Sequence, residues 1–165
     1  MNEPKRILLV EDSKKDIELA LEALAEHKLA NQVAVVRDGV DALDYLFRRG
    51  QFADHPDGLP VLVLLDLKMP RVDGLEVLRQ MKADPVLKRI PVVMMTSSRE
   101  QADLTQSYEL GVNSYVVKPV KFQGFIDAVK HVGVYWVLVN ESPPPAAPDP
   151  DQLPPGQGEK KRGRL

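Results

Sequence analysis

The sequence predicts an α/β fold: a doubly wound parallel sheet of five strands in the order 2-1-3-4-5. Three observations carry this. Five short runs rich in Val, Leu and Ile lack polar alternation, as strands covered on both faces do. Each is followed by a stretch whose apolar residues recur at helical spacing. The resulting alternation of strand and helix requires right-handed crossovers with helices on both faces, and five strands suit that order.

The first strand spans 6–11, and the helix after it carries the stripe Ile17, Ala20, Leu21 and Leu24, with Ser13 and Asp16 as an approximate capping box. The second strand spans 32–37. Asp38-Gly39 opens the next helix, with Val40, Leu43, Leu46 and Phe47 apolar and Asp38, Asp41 and Asp44 read as a solvated face. A long polar connection runs from Arg48 to Leu59. The third strand is 60–66; Asp73 and Glu76 suit the first turn of the helix bearing Leu75, Leu78 and Met81, which Asp84-Pro85 stops. The fourth strand is 91–96. Its helix starts near Ser98, carries Leu104 and Leu110, and ends at Gly111, with Ser97 or Ser98 as cap. The fifth strand is 114–117, followed by the stripe Phe122, Phe125, Ile126 and Val129 and an apolar extension through Tyr135 and Trp136.

The 165 residues suit one domain, 1–140 with an extended last helix, and a tail, 141–165, that holds seven of the fourteen prolines and is read as disordered. A net charge of −2 gives no basic footprint for nucleic acid. The absence of cysteine excludes disulfides and thiolate metal sites. No apolar stretch reaches signal-peptide or membrane-spanning length, so a cytoplasmic protein without a membrane partner is expected.

Function is concentrated at the strand exits. Glu11-Asp12 follow strand 1, Asp66 follows strand 3, Thr96-Ser97 follow strand 4 and Lys118-Pro119 follow strand 5. Ligands of such sheets bind outside the carboxyl ends of the strands, where strands 1 and 3 part. Unpaired carboxylates in one crevice raise one another's pKa, and a hard divalent cation removes the conflict. Metal, ammonium and hydroxyl together suit a phosphoryl group, with Asp66 as the carboxylate able to form an acyl phosphate.

Glu11-Asp12, Asp66 with Met69-Pro70-x-x-Asp73-Gly74, Thr96-Ser97 and Lys118-Pro119, in this order over residues 5–130, resemble the receiver family of two-component response regulators, which has a flavodoxin-like fold. The resemblance implies that Asp66 accepts phosphoryl from a sensor histidine kinase. It implies Mg²⁺ held by Asp12, Asp66 and the Lys68 carbonyl, with Glu11 acting through water. Lys118 would pair with the phosphoryl group across a cis Lys118–Pro119 peptide, and Thr96 and Tyr115 would switch together. Such a chain promotes only its own phosphorylation and dephosphorylation. The 48–59 loop and the extended end look like single-domain regulators paired with bacterial phytochrome kinases. Output would run through protein contacts, with a homodimer on the face of helix 4, strand 5 and helix 5 and with Tyr135 and Trp136 at the interface. Lys68 and Ser98 flank the phosphoryl position, so Lys68 is expected to set its lifetime. Two alternatives stay open: a phosphorylation-independent interaction module, and an aspartate-nucleophile phosphatase, which would usually carry an acid where Lys68 stands.

Overall fold

The computed structural model describes residues 5–144. Strands β1 (Ile7–Val10), β2 (Val33–Val36), β3 (Leu62–Leu65), β4 (Val92–Thr96) and β5 (Ser114–Val117) form one parallel sheet in the predicted order 2-1-3-4-5. Helices α1 (Lys14–Ala25), α2 (Gly39–Phe47), α3 (Gly74–Ala83), α4 (Gln101–Glu109) and α5 (Phe122–Val134) are the crossovers. Alternate side chains of the central strands feed two cores. Leu8, Val10, Val63, Leu65, Val92 and Met94 pack with α2 and α3; Ile7, Leu9, Leu62, Leu64, Val93 and Met95 pack with α1 and α5. Strands buried on both faces explain why their sequences carry no polar alternation.

The helix starts are set by short acids and hydroxyls. Ser13, Asp38 and Asp73 accept from the backbone N–H groups of Asp16, Asp41 and Glu76 at 3.3, 2.8 and 3.0 Å. The capping box at Ser13 is only half made: its own N–H donates to Glu11 Oε1 at 3.1 Å, not to Asp16. Asp38 is more than part of a solvated face, because it caps α2 and pairs with Arg71.

Three expectations about the helices change. The α1 stripe is rotated: Leu19, Ala20, Ala23 and Leu24 are buried, because α1 packs on both the sheet and α5. Where α5 lies on α1, a Cβ on Gly133 would lie 2.4 Å from Leu24 Cδ2. Helix α4 begins at Gln101, not near Ser98, and its N-cap position is Glu100 without a side-chain cap. Leu104 faces outward; the buried residues of α4 are Asp103 and Ser107.

The 48–59 connection is ordered by its own contacts. Tyr45 is buried, stacks on His55 with ring centroids 4.2 Å apart, and donates to Asp57 Oδ2 at 3.0 Å. Burial and that bond push the Tyr45 phenol up to about 12. Asp57 also pairs with Arg6 at 2.8 Å, tying the loop to the residue before β1.

Helix α5 continues as a π-helical turn, Tyr135–Val139, closed by Asn140 N–H to the Tyr135 carbonyl at 2.7 Å. Val137 is buried and Trp136 packs partly on the core, while Tyr135, Leu138 and Val139 are exposed. Ser142–Pro144 lie along a groove with Leu59, Val86 and Ile90. The rest of the proline-rich tail, 145–165, lies outside the described residues. Among the described residues no helix is long and apolar enough to cross a membrane.

Candidate functional site

Sheet register assembles the site. Val10 of β1 aligns with Leu65 of β3, so the next residues, Glu11-Asp12 and Asp66, leave adjacent strands at one level. The ladder runs one bond further, from Asp66 N–H to the Val10 carbonyl at 3.0 Å. Carboxylate oxygens of Glu11, Asp12 and Asp66 all lie within 4.8 Å of one another. Thr96 ends β4, fully buried, and Lys118 follows β5, its N–H bonded to the Thr96 carbonyl at 2.7 Å. The four strand exits singled out in the sequence therefore meet at one edge.

The Lys118 ammonium neutralises part of this acid cluster. It donates to Glu11 Oε2 at 2.7 Å and to Asp16 Oδ2 at 2.8 Å, and stands 3.5 Å from Asp66 Oδ2. Burial alone would lower its pKa; the bonds to Asp16 and Glu11 outweigh that and raise it, so it stays charged. One cation does not balance the acids. Burial, with Asp66 adding to it, pushes the Glu11 carboxyl up to about 7 despite the Lys118 bond. Burial also raises Asp66, against the opposing pull of Lys118 and of the Leu67 N–H, which donates to Oδ1 at 2.8 Å.

A divalent cation fits this donor set. The oxygens are hard, charged and clustered, and no histidine competes among them. Both Glu11 oxygens are already engaged, by Ser13 N–H and by Lys118. Asp66 is held more loosely, by the Leu67 N–H on Oδ1 and by Lys118 at 3.5 Å from Oδ2. Asp12 and Asp66 are thus the carboxylates more available for direct ligation, with Glu11 suited to contact through water.

The remaining expected residues lie around this centre. Thr96 Oγ1 accepts from Ser98 N–H at 3.2 Å, and the Tyr115 hydroxyl donates to the Ser98 carbonyl at 3.1 Å. The Lys68 ammonium is exposed and pairs with Asp103 at 3.4 Å. The Lys118–Pro119 peptide is trans, not cis as the resemblance implied; the two forms of such a bond differ by only about 0.5–1 kcal/mol. Two further acids join these contacts without any functional mark in the sequence. Asp16 and Asp103 each sit in the first turn of a helix, where an acid is ordinarily explained by the helix dipole.

Comparison with known proteins gives a consistent picture. The family model described as "Response regulator receiver domain" matches residues 7–130. Response regulator Rcp1 of Synechocystis sp. is 41% identical over 136 residues, covering 82% of this chain and 91% of Rcp1. The Mn²⁺-bound crystal structure of a response regulator Rcp1 superposes with a TM-score of 0.80 at 39% identity, over 86% of this chain and 100% of that one. The phosphorylated cyanobacterial phytochrome response regulator RcpA gives a TM-score of 0.80 at 42% identity, over 85% and 99%. The bacteriophytochrome response regulator AtBRR gives 0.67 at 56% identity, over 85% and 100%.

Proposed function

The chain belongs to the response regulator receiver family, and from that premise we propose that Asp66 takes a phosphoryl group from a sensor histidine kinase of the bacterial phytochrome type. The observation that carries this is the meeting of Asp66, at the mouth of β3, with two further acids and a buried ammonium. A carboxylate oxygen of Asp66 attacks phosphorus as the P–N bond to the kinase's phosphohistidine breaks, and the electron pair leaves with the imidazole. Lys118 exchanges a carboxylate for a phosphoryl oxygen, and the Thr96 hydroxyl takes another. Bound Mg²⁺ would supply charge neutralisation and hold a further phosphoryl oxygen, with Asp12, Asp66 and the Lys68 carbonyl as its ligands and Glu11 behind a water. The chain's own chemistry is this transfer and the hydrolysis of the acyl phosphate, in which water attacks phosphorus, the Asp66 carboxylate leaves and inorganic phosphate is released; Lys68 stands where an aspartate-nucleophile phosphatase would need its second acid. A cytoplasmic location goes with this reading.

Phosphorylation by acetyl phosphate is expected to need a divalent cation, because the acids otherwise repel the donor. Asp12→Ala should weaken Mg²⁺ binding at least tenfold by calorimetry, about 1.4 kcal/mol. The affinity should also rise with pH through about 7, since ligation favours the ionised acids and Glu11 is held up at about 7. In the metal-free protein the sign for stability is opposite: an acid with a raised folded pKa stabilises below its unfolded value of 4.5, and that contribution is lost as pH rises towards 7. Equal labelling in EDTA, with no label from any phosphorylated kinase, sinks the reading.

Dimerisation through the α4–β5–α5 face is the second part of the proposal. Leu104 and Tyr108 on α4 and Tyr135, Leu138 and Val139 beyond α5 are exposed, and apolar and aromatic side chains are enriched at interface cores. Tyr135→Ala with Leu138→Ala should shift sedimentation towards monomer while preserving the melt. Trp136 is spared in this test because it packs on the core. A wild-type monomer at high micromolar concentration would discard this interface.

A further inference from the structure

Resting on the reading of Asp66 as phosphoacceptor, we propose that Asp103 is a positioning residue that latches the β4–α4 loop through Ser98 and so sets how readily the phosphorylated conformation is reached. Helix α4 has little apolar anchorage. Leu104 and Tyr108 face solvent, and the residues it buries are Asp103 and Ser107. Its attachment runs through polar contacts, and a helix held that way is easily biased between positions.

Asp103 is the centre of those contacts. The Ser98 hydroxyl donates to its Oδ2 at 2.6 Å, a short bond strengthened by the carboxylate charge. The Lys68 ammonium, two residues beyond Asp66, lies 3.4 Å from the same oxygen. Ser107 Oγ donates to the Asp103 carbonyl at 2.7 Å, fixing the helix turn that carries the acid.

Ser98 is in turn a junction. Its N–H donates to Thr96 Oγ1 at 3.2 Å, its hydroxyl oxygen accepts from Glu100 N–H at 3.3 Å, and its carbonyl accepts from Tyr115 at 3.1 Å. Any shift of Thr96 towards a phosphoryl group on Asp66 pulls on Ser98, which Asp103 and Tyr115 hold. The Asp103–Ser98 bond therefore stabilises the arrangement seen here against the phosphorylated one. Asp103 also keeps the Lys68 ammonium paired on α4, away from the phosphoryl position. An acid that merely favoured the helix dipole would do neither.

The test uses the full chain and beryllofluoride with Mg²⁺ as the phosphoryl mimic, titrated by calorimetry. Asp103→Ala and Ser98→Ala should each tighten beryllofluoride binding by about fivefold or more, the lower range of measured couplings between sites. The double variant should gain no more than Asp103→Ala alone, because the bond that Ser98→Ala breaks is already lost in that variant. A purely structural role would lower the melting temperature without this shared gain. If Asp103→Ala fails to fold, Asp103→Asn, which takes the charge out of the Ser98 bond, replaces it in the cycle with Ser98→Ala. Unchanged or weaker binding in folded variants, or gains that multiply, would overturn the latch while wild-type binding keeps the Asp66 reading intact. A wild-type chain that binds no beryllofluoride would remove both.

Discussion

Replacing Asp66 by Asn is expected to abolish phosphorylation by acetyl phosphate and Mg²⁺ while leaving the fold intact. An amide cannot form the acyl phosphate, and no other acid shares the position of Asp66 at the end of β3, one bond beyond the ladder to Val10. The fold survives because the strand is fixed by Leu62–Leu65, all buried, and because Asn retains a carbonyl oxygen to accept the Leu67 N–H that now bonds Oδ1 at 2.8 Å. The metal-free variant should melt higher than wild type at neutral pH. Burial raises the Asp66 pKa, so its ionised form opposes folding there, and a neutral side chain removes that opposition. The measurement is the intact mass after incubation with donor, beside a thermal melt. Undiminished addition of one phosphoryl group to the variant would move the acceptor elsewhere.

The strands and the edge that carries this chemistry were legible because both follow from simple patterns. Strands buried on two faces read as unbroken apolar runs, and the residue types at their exits, acids after β1 and β3, a hydroxyl after β4 and a lysine after β5, follow directly from where those runs stop. What stayed hidden depends on partners distant in sequence. Asp16 joins Lys118 across 102 positions, and Lys68 meets Asp103 across two loops. Helix α4 starts later than its serines suggest: Ser97 and Ser98 look like caps, whereas the Ser98 hydroxyl is committed to Asp103. The 48–59 loop read as a plain polar connection; its order comes from Tyr45, whose ring faces His55 and whose hydroxyl reaches Asp57. Periodicity reports which face of a helix is apolar, not which polar groups a tertiary contact will satisfy.

Gly74→Ala should both destabilise the protein and slow phosphorylation, because α3 starts against the backbone of the phosphoacceptor itself. A Cβ on Gly74 would lie 2.3 Å from the Asp66 carbonyl oxygen and 2.9 Å from Leu67 Cα. The Gly74 N–H already donates to the Leu67 carbonyl at 2.8 Å, and Asp73 caps the helix on Glu76, so neither side can withdraw without breaking a bond. Alanine gains up to about 1 kcal/mol of helix propensity over glycine. Forcing an extra carbon into a closed contact typically costs about 1–3 kcal/mol and occasionally more. The obstacle here is main chain, which cannot rotate aside, so the clash wins. For a chain of this size about 2 kcal/mol corresponds to a fall of about 4–8 °C in melting temperature. The loop between β3 and α3 must give way, shifting Asp66 and the Lys68 carbonyl, and in-line transfer is sensitive to such displacements. Gly124→Ala is the matched control: it also lies in a helix, but its nearest neighbour would be the Pro119 ring at 3.1 Å, which a small adjustment relieves. That variant should melt within a few degrees of wild type and label normally. Gly74→Ala melting as high as Gly124→Ala, with an undiminished labelling rate, would show that the β3–α3 loop does not hold Asp66 in place.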